Sequence, residues 1–185
     1  MAQAKRKQKF FDVNIPLVGK ETQLYAYDIE SLDGKSIKYD LTRLLRGKSM
    51  LLSLKIEADK EKAVAHPREL KVMPYFIRRM MRKGTNYVED SFSVKCNDAQ
   101  IRIKPFLITR KKVSRAVRKA LREKAEKELT EYVKDKDIDT LFDEVLKNKI
   151  QKSLSLKLKK IYPLSLCEIR VFKIEKDLEK KEKAK

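Results

Sequence analysis

SFSVKCNDAQIRIKPFLITRKKVSRAVRKALREKAEKELTEYV, residues 91–133, changes its apolar period midway, and that change decides the fold class. Phe92, Val94 and Cys96 alternate with polar residues, Asn97-Asp98 is a turn pair, and Ile101, Ile103 and Phe106 to Ile108 return. Period two on both sides of a turn is the mark of a β-hairpin. From Val113 the spacing becomes helical. Val113, Val117, Ala120 and Leu121, continued by Ala125, Leu129 and Tyr132, make one apolar stripe and predict a helix over 113–133. The same stretch is one-signed in charge. Between Ala99 and Arg122 there are nine Lys or Arg residues and no Asp or Glu. Arg115, Arg118, Lys119 and Arg122 recur at helical spacing opposite the stripe. Beyond Arg122 acids return, at Glu123, Glu126, Glu128 and Glu131. The positive end of the helix dipole coincides with the basic turns, and both favour phosphate.

Upstream, Tyr25, Tyr27 and Ile29 alternate as a strand over 21–30, Asp33-Gly34 is a turn, and Ile37 and Tyr39 mark a second strand. Asp40 stands as an N-cap before Leu41, Leu44 and Leu45, with Gly47 as a stop, which predicts a short helix. Residues 49–56 read as a buried strand, and a short one returns through Ala63–His66. Pro74 suits the first turn of a helix ending near Gly84, with Phe76, Ile77, Met80 and Met81 inside and Arg78, Arg79 and Arg82 outside. Residues 139–161 read as one or two helices through Phe142, Leu146, Ile150, Leu154 and Leu158, although 154–158 also alternates as a strand would. Pro163 ends that segment and residues 164–174 are strand-like. The expected fold is α+β: a curved or barrel-like, mixed or antiparallel sheet with packed helices, which the final strand rejoins. The expected organisation is a basic disordered arm at 1–9, a single domain at 10–174 and a charged flexible tail at 175–185.

The 185 residues carry a formal net charge of +19. Like charges repel and destabilise a compact state unless a partner neutralises them, and the commonest polyanion is nucleic acid. The candidate contact residues are Lys5, Arg6, Lys7 and Lys9 in the arm, Arg78, Arg79 and Arg82 on the first helix, and Arg110, Lys111, Lys112, Arg115, Arg118, Lys119 and Arg122 at the junction and helix start. The ordinary alternative, a solvated Lys- and Arg-rich face, competes most closely at Arg78, Arg79 and Arg82, because Lys and Arg are normal on exposed helix faces. Tyr25, Tyr27 and Phe92 suit either core packing or base stacking.

Other classes find little support. No apolar run approaches a membrane span and no lipidation signal is present, so no membrane partner is expected. Met1 to Lys9 lacks the apolar region of a secretory signal. Cys96 and Cys167 are far apart in strand-like segments and read as buried free thiols of a reducing compartment. One histidine, His66, and two distant cysteines make no ordinary zinc site. Four scattered glycines form no phosphate loop, and no nucleophile motif occurs. No catalytic residue, metal or cofactor is therefore expected. An RNA-modifying enzyme would need machinery these residues do not supply, whereas a free RNA- or DNA-binding protein of chaperone or nucleoid type remains an alternative.

Several strings carry a family resemblance. KFFDVNIPLVG near the start, SIKYDLTRLLRGKSMLLSLKI at 36–56, FLITRKK at 106–112 leading into the basic helix, and KKIYPLSLCEIRVFKIEK at 159–176 occur in order. Ile161-Tyr162-Pro163-Leu164 and Asp40-Leu41 are the more distinctive marks. Together, over roughly residues 9–176, the chain resembles the archaeal and eukaryotic small-subunit ribosomal proteins of the S-three-a-e type, e-S-one in the universal nomenclature. It looks archaeal because the long extensions of eukaryotic members are not seen. The resemblance implies a cytoplasmic, non-catalytic constituent of the small ribosomal subunit, built on a β-barrel-like core and seated on the platform near the messenger exit. Implied partners are small-subunit ribosomal RNA, neighbouring ribosomal proteins, and messenger RNA or initiation factors at the exit. RNA contact carries over to Arg110–Arg122, which matches the family's basic junction and helix start.

Overall fold

Phe11, Val13 and Ile15 alternate with Asp12 and Asn14, and this period-two pattern forms strand β1 (Lys9–Ile15). The computed structural model describes residues 7–59 and 62–178, and the chain divides into two units, residues 1–39 with 52–68 and residues 40–51 with 69–185. In the first unit β1 pairs antiparallel with β2 (Lys20–Ala26), in a register that sets Val13 opposite Thr22 and Phe10 opposite Tyr25. A 3-10 turn at Ile29–Leu32 follows, then β3 (Ser36–Asp40). β3 pairs with β4 (Met50–Ala58), and β4 also pairs with β5 (Ala63–Val72). β1 and β5 are parallel at Val13↔Ala63. Val13, Ile15, Leu32, Leu54, Ile56 and Ala65 fill the core of this unit. β1 does not feature among the strands expected from the sequence, and it takes in Lys9 of the expected arm.

In the second unit the sheet is built around β8 (Ala99–Thr109) and β9 (Leu164–Asp177), antiparallel along their length from Ala99↔Asp177 to Thr109↔Leu164. β9 thus includes Glu175–Asp177 from the segment expected as tail. The C-terminal part of β5 joins β9 at Leu70↔Phe172. On its other edge β8 carries β6 (Tyr87–Glu89) and β7 (Phe92–Lys95). β7 pairs with Gln100–Ile103 and β6 with Phe106–Ile108, so Pro105 falls between the two ladders, where its missing N–H costs little. A register shift against β9 occurs at the same place. The expected hairpin is therefore present, and Cys96 stands at its turn rather than in a strand, its backbone N–H donating to Ala99 O at 2.8 Å.

Four helices accompany these strands: α1 (Pro74–Met80), α2 (Arg115–Lys134), α3 (Ile138–Leu146) and α4 (Lys149–Leu158). α2 packs against β6, β7 and α4, and α4 packs on β9. Leu121, Ala125, Leu129 and Val133 bury the apolar stripe of α2, and Phe142 meets Phe172 edge-on with ring centres 5.0 Å apart. Asn148, at φ 57°, breaks the 139–161 segment into two helices, so the alternation at 154–158 belongs to a helix. Lys48, whose side chain is only 11% exposed, donates through Nζ to Asn148 Oδ1 at 2.7 Å and Glu168 Oε2 at 2.6 Å.

Two expected helices are shorter or missing. Asp40 does accept from Thr42 N at 2.8 Å, and Leu45 N donates to Leu41 O at 2.9 Å. Arg46 and Gly47 then turn left-handed, at φ 53° and 89°, so a single turn forms and no helix propagates. α1 stops at Met80, not near Gly84, because Met81 is extended; Phe76 and Ile77 are buried and Met81 is exposed. Nine strands among the described residues, in parallel and antiparallel ladders, make the class α+β with a mixed sheet. The strand order runs from β2 to β6 without closing on itself, and the final strand rejoins the sheet as expected.

Candidate nucleic-acid interface

Arg115, Arg118, Lys119 and Arg122 stand at helical spacings of three and four, so α2 presents them on one face. That face and β6 are the two walls of a groove of about 490 Å³, lined by Asn86, Tyr87, Val88, Glu89 and the four basic residues. Ser114 caps α2, its hydroxyl accepting from Val117 N at 3.4 Å, and no acid occupies the first turn. Two side chains position the start of the helix against β6. Val113 N donates to Asn86 Oδ1 at 2.9 Å, and Asn86 N donates to Thr109 Oγ1 at 3.0 Å. The Thr109 hydroxyl donates to Lys111 O at 2.7 Å. The Arg110-Lys111-Lys112 junction is thereby held as an exposed basic turn between β8 and α2.

Charge pairing separates the two halves of α2. In the second half Lys124 reaches Glu128 at 2.8 Å, and Lys157 from α4 joins the same carboxylate. Hydrogen bonds from Lys124 and Lys157 hold the Glu128 carboxyl below its usual range. In the first half Lys119 lies 3.7 Å from Glu123, whereas Arg115, Arg118 and Arg122 have no carboxylate partner among the described residues. Glu89, the one acid lining the groove, is held by Arg170 at 3.1 Å. Arg118 Nε is buried with no hydrogen-bond acceptor among the described residues. Uncompensated guanidinium groups facing a groove call for an anion of several oxygens, and a phosphodiester backbone is one.

A wider groove of about 840 Å³ on the β5, β8 and β9 face contrasts with this one. Arg102, Lys104, Lys71, Arg170 and Lys173 share it with Glu69, Glu89, Asp90 and Glu175, and Arg102 pairs with Glu175 at 2.5 Å. It is largely self-neutralised, which removes much of its attraction for a polyanion.

The other sequence candidates lie elsewhere. Arg78 and Arg79 are exposed on α1, with Arg79 over the Phe76 ring at 5.5 Å, and Arg82 is exposed just after it. Lys7 and Lys9 are exposed in the first unit, while Lys5 and Arg6 lie outside the described residues. Tyr25 and Tyr27 are exposed rather than core residues, Phe92 is half-buried, and exposed His66 lies 3.5 Å from Glu57. Asn86, Tyr87 and Thr109 carry no sequence signal that marks them as part of the site. Cys96 is buried, Cys167 is half-buried, and both are free thiols. No cluster of metal-binding side chains occurs among the described residues, and no helix there is long and apolar enough to cross a membrane.

Fold and site together define a strongly basic α+β protein with a groove lined by arginines that lack a carboxylate partner among the described residues. Comparison with known proteins makes this specific. The ribosomal S3Ae family model matches residues 3–177. The small ribosomal subunit protein eS1 of Nanoarchaeum equitans is 24% identical over 180 residues, 92% of this chain and 90% of that one. The protein of the same name from Pyrobaculum islandicum is 31% identical over 140 residues, 75% of this chain and 63% of that one. That of Halorubrum lacusprofundi is 28% identical over 101 residues, 54% and 47% of the two chains. The chain belongs to the ribosomal S3Ae family. It is thus a ribosomal protein of archaeal type, not an enzyme.

Proposed function

We propose that this protein is a structural constituent of the small ribosomal subunit, seated on the platform near the messenger exit, and that it grips small-subunit ribosomal RNA through Arg110–Arg122. The observation that carries the reading is the unpaired arginine face of α2, in a chain whose later acids are consumed by its own lysines. Folded RNA is recognised largely through shape, phosphates and 2′-hydroxyls, so an ordered basic face suffices without base-specific side chains. Lys5, Arg6, Lys7 and Lys9 and the cluster Arg78, Arg79 and Arg82 serve as secondary phosphate contacts. Neighbouring small-subunit proteins are the second class of partner, and messenger RNA and initiation factors come within reach at the exit.

Sedimentation of native cell extract through a sucrose gradient tests this, with the protein followed by mass spectrometry. The expected result is a peak with the small subunit, near one copy per particle, that survives moderately high salt. Signal spread through the light fractions, or stripped by modest salt, identifies a free RNA- or DNA-binding protein instead.

A further inference from the structure

The β6–α2 groove pairs its cations with an aromatic ring. Tyr87 lines the same groove as Arg115, Arg118 and Arg122 and is 56% exposed. Its ring stacks on buried Phe106 with centres 6.0 Å apart and planes 21° from parallel. Phe106 therefore backs a ring that belongs to a more than half-exposed residue. The backbone beneath is fixed by pairing of Tyr87 with Ile108. A rigid exposed ring beside guanidinium groups is the arrangement in which an unstacked base lies on the ring while its flanking phosphates meet the arginines. A double helix keeps its bases stacked on one another and leaves such a ring without a partner.

We infer that this groove is a binding site for an unpaired RNA nucleotide, with its base stacked on Tyr87 and its flanking phosphates held by Arg115, Arg118 and Arg122. The inference rests on the RNA-binding reading above and adds the form of RNA that the site selects. Two observations support it beyond charge. Arg118 Nε is buried without an acceptor among the described residues, and a phosphate oxygen is an acceptor of the required kind. The groove volume, about 490 Å³, falls within the range of about 300–1,000 Å³ usual for small-ligand sites. Asn86 Oδ1 and Glu89 are already engaged, by Val113 N and Arg170, so neither neutralises the arginines.

The test compares a short single-stranded oligoribonucleotide carrying one 2-aminopurine with a duplex of the same length, using the full chain. Tyr87→Leu is expected to weaken single-strand binding at least about fivefold and to abolish quenching of 2-aminopurine, with duplex affinity unchanged. Tyr87→Phe keeps the ring and is expected to retain both affinity and quenching. Wild-type affinity and quenching in Tyr87→Leu overturn the inference while leaving general RNA binding intact. Failure of the wild type to bind either RNA at low salt overturns the RNA-binding reading itself. Photo-crosslinking of the wild type to 4-thiouridine RNA gives an answer independent of any variant. A crosslink on the peptide containing Tyr87 supports the site, and crosslinks confined to other peptides refute it.

Discussion

Replacing Arg115, Arg118 and Arg122 together by Gln removes three cations that have no carboxylate partner among the described residues. These side chains line the β6 groove beside the buried stripe of Leu121, Ala125, Leu129 and Val133, and Gln keeps a polar stem at each position, so the helix should fold as before. Removing one cation–phosphate interaction lowers the slope of log affinity against log salt by about 0.9 on duplex RNA and about 0.7 on single strands, by analogy with DNA. Removing three changes the slope by about 2 to 3. Between about 50 and 200 mM salt, the wild type should therefore lose about 20–40-fold more affinity than the variant. Arg102→Gln is the internal control. Its guanidinium already pairs with Glu175 at 2.5 Å, so its removal should change the slope by less than about 0.5. Fluorescence anisotropy at four salt concentrations measures all three proteins, with circular dichroism to confirm an unchanged fold. A folded triple variant whose slope stays within about 0.5 of wild type would falsify the argument, as would an Arg102 effect equal to that of each unpaired arginine.

Three further outcomes follow from other parts of the second unit. Glu168→Ala leaves the nearly buried Lys48 ammonium with Asn148 alone, and chemical denaturation should show a loss of about 2–4 kcal/mol; a loss under about 0.5 refutes the role of the pair. The Cys167 thiol is pushed up to about 12, chiefly by burial, so at pH 8 it should alkylate far more slowly in the folded protein than in denaturant, and equal rates would contradict its placement. Glu128 is held low by Lys124 and Lys157, and Glu175 by the Ser93 hydroxyl ahead of Arg102. A depressed carboxylate stabilises above its unfolded value, about 4.3, and that contribution disappears as pH falls through the lower folded value. Thermal melts should thus weaken below about pH 4.5, and Glu128→Gln with Glu175→Gln should flatten the decline there; an unaltered acid limb counts against both pairings.

The β7–β8 hairpin and α2 were legible because each shows one clean period over many residues, and the basic face was legible because charge followed that same helical period. The groove was not. Its second wall, Asn86 to Glu89, is built on a three-residue strand, too short to display a period, and it is tied to the start of α2 by hydrogen bonds to Thr109 and Val113, more than twenty residues away in the chain. β1 does carry Phe11, Val13 and Ile15 at period two, but exposed Phe10 beside Phe11 blurs the alternation. The segment after Asp40 shows the reverse error. Its cap and leucine spacing are helical, yet Arg46 and Gly47 end the turn before a helix can nucleate. Local patterns report local structure well, and the missing features are those set by partners distant in the chain.

The long β8–β9 ladder also sets an order of events. β9 is the last strand of the described chain, and it pairs with a strand made before all of α2, α3 and α4. Pairing of that reach is slow, because loop closure must precede any gain. A helix such as α2 needs only its own neighbours to begin forming. During synthesis the arginine face can therefore emerge before the sheet that supports it is complete, with the apolar edge of β8 waiting for its partner. On the RNA-binding reading proposed above, RNA present at that moment would neutralise the nascent helix and couple ligand engagement to completion of the fold.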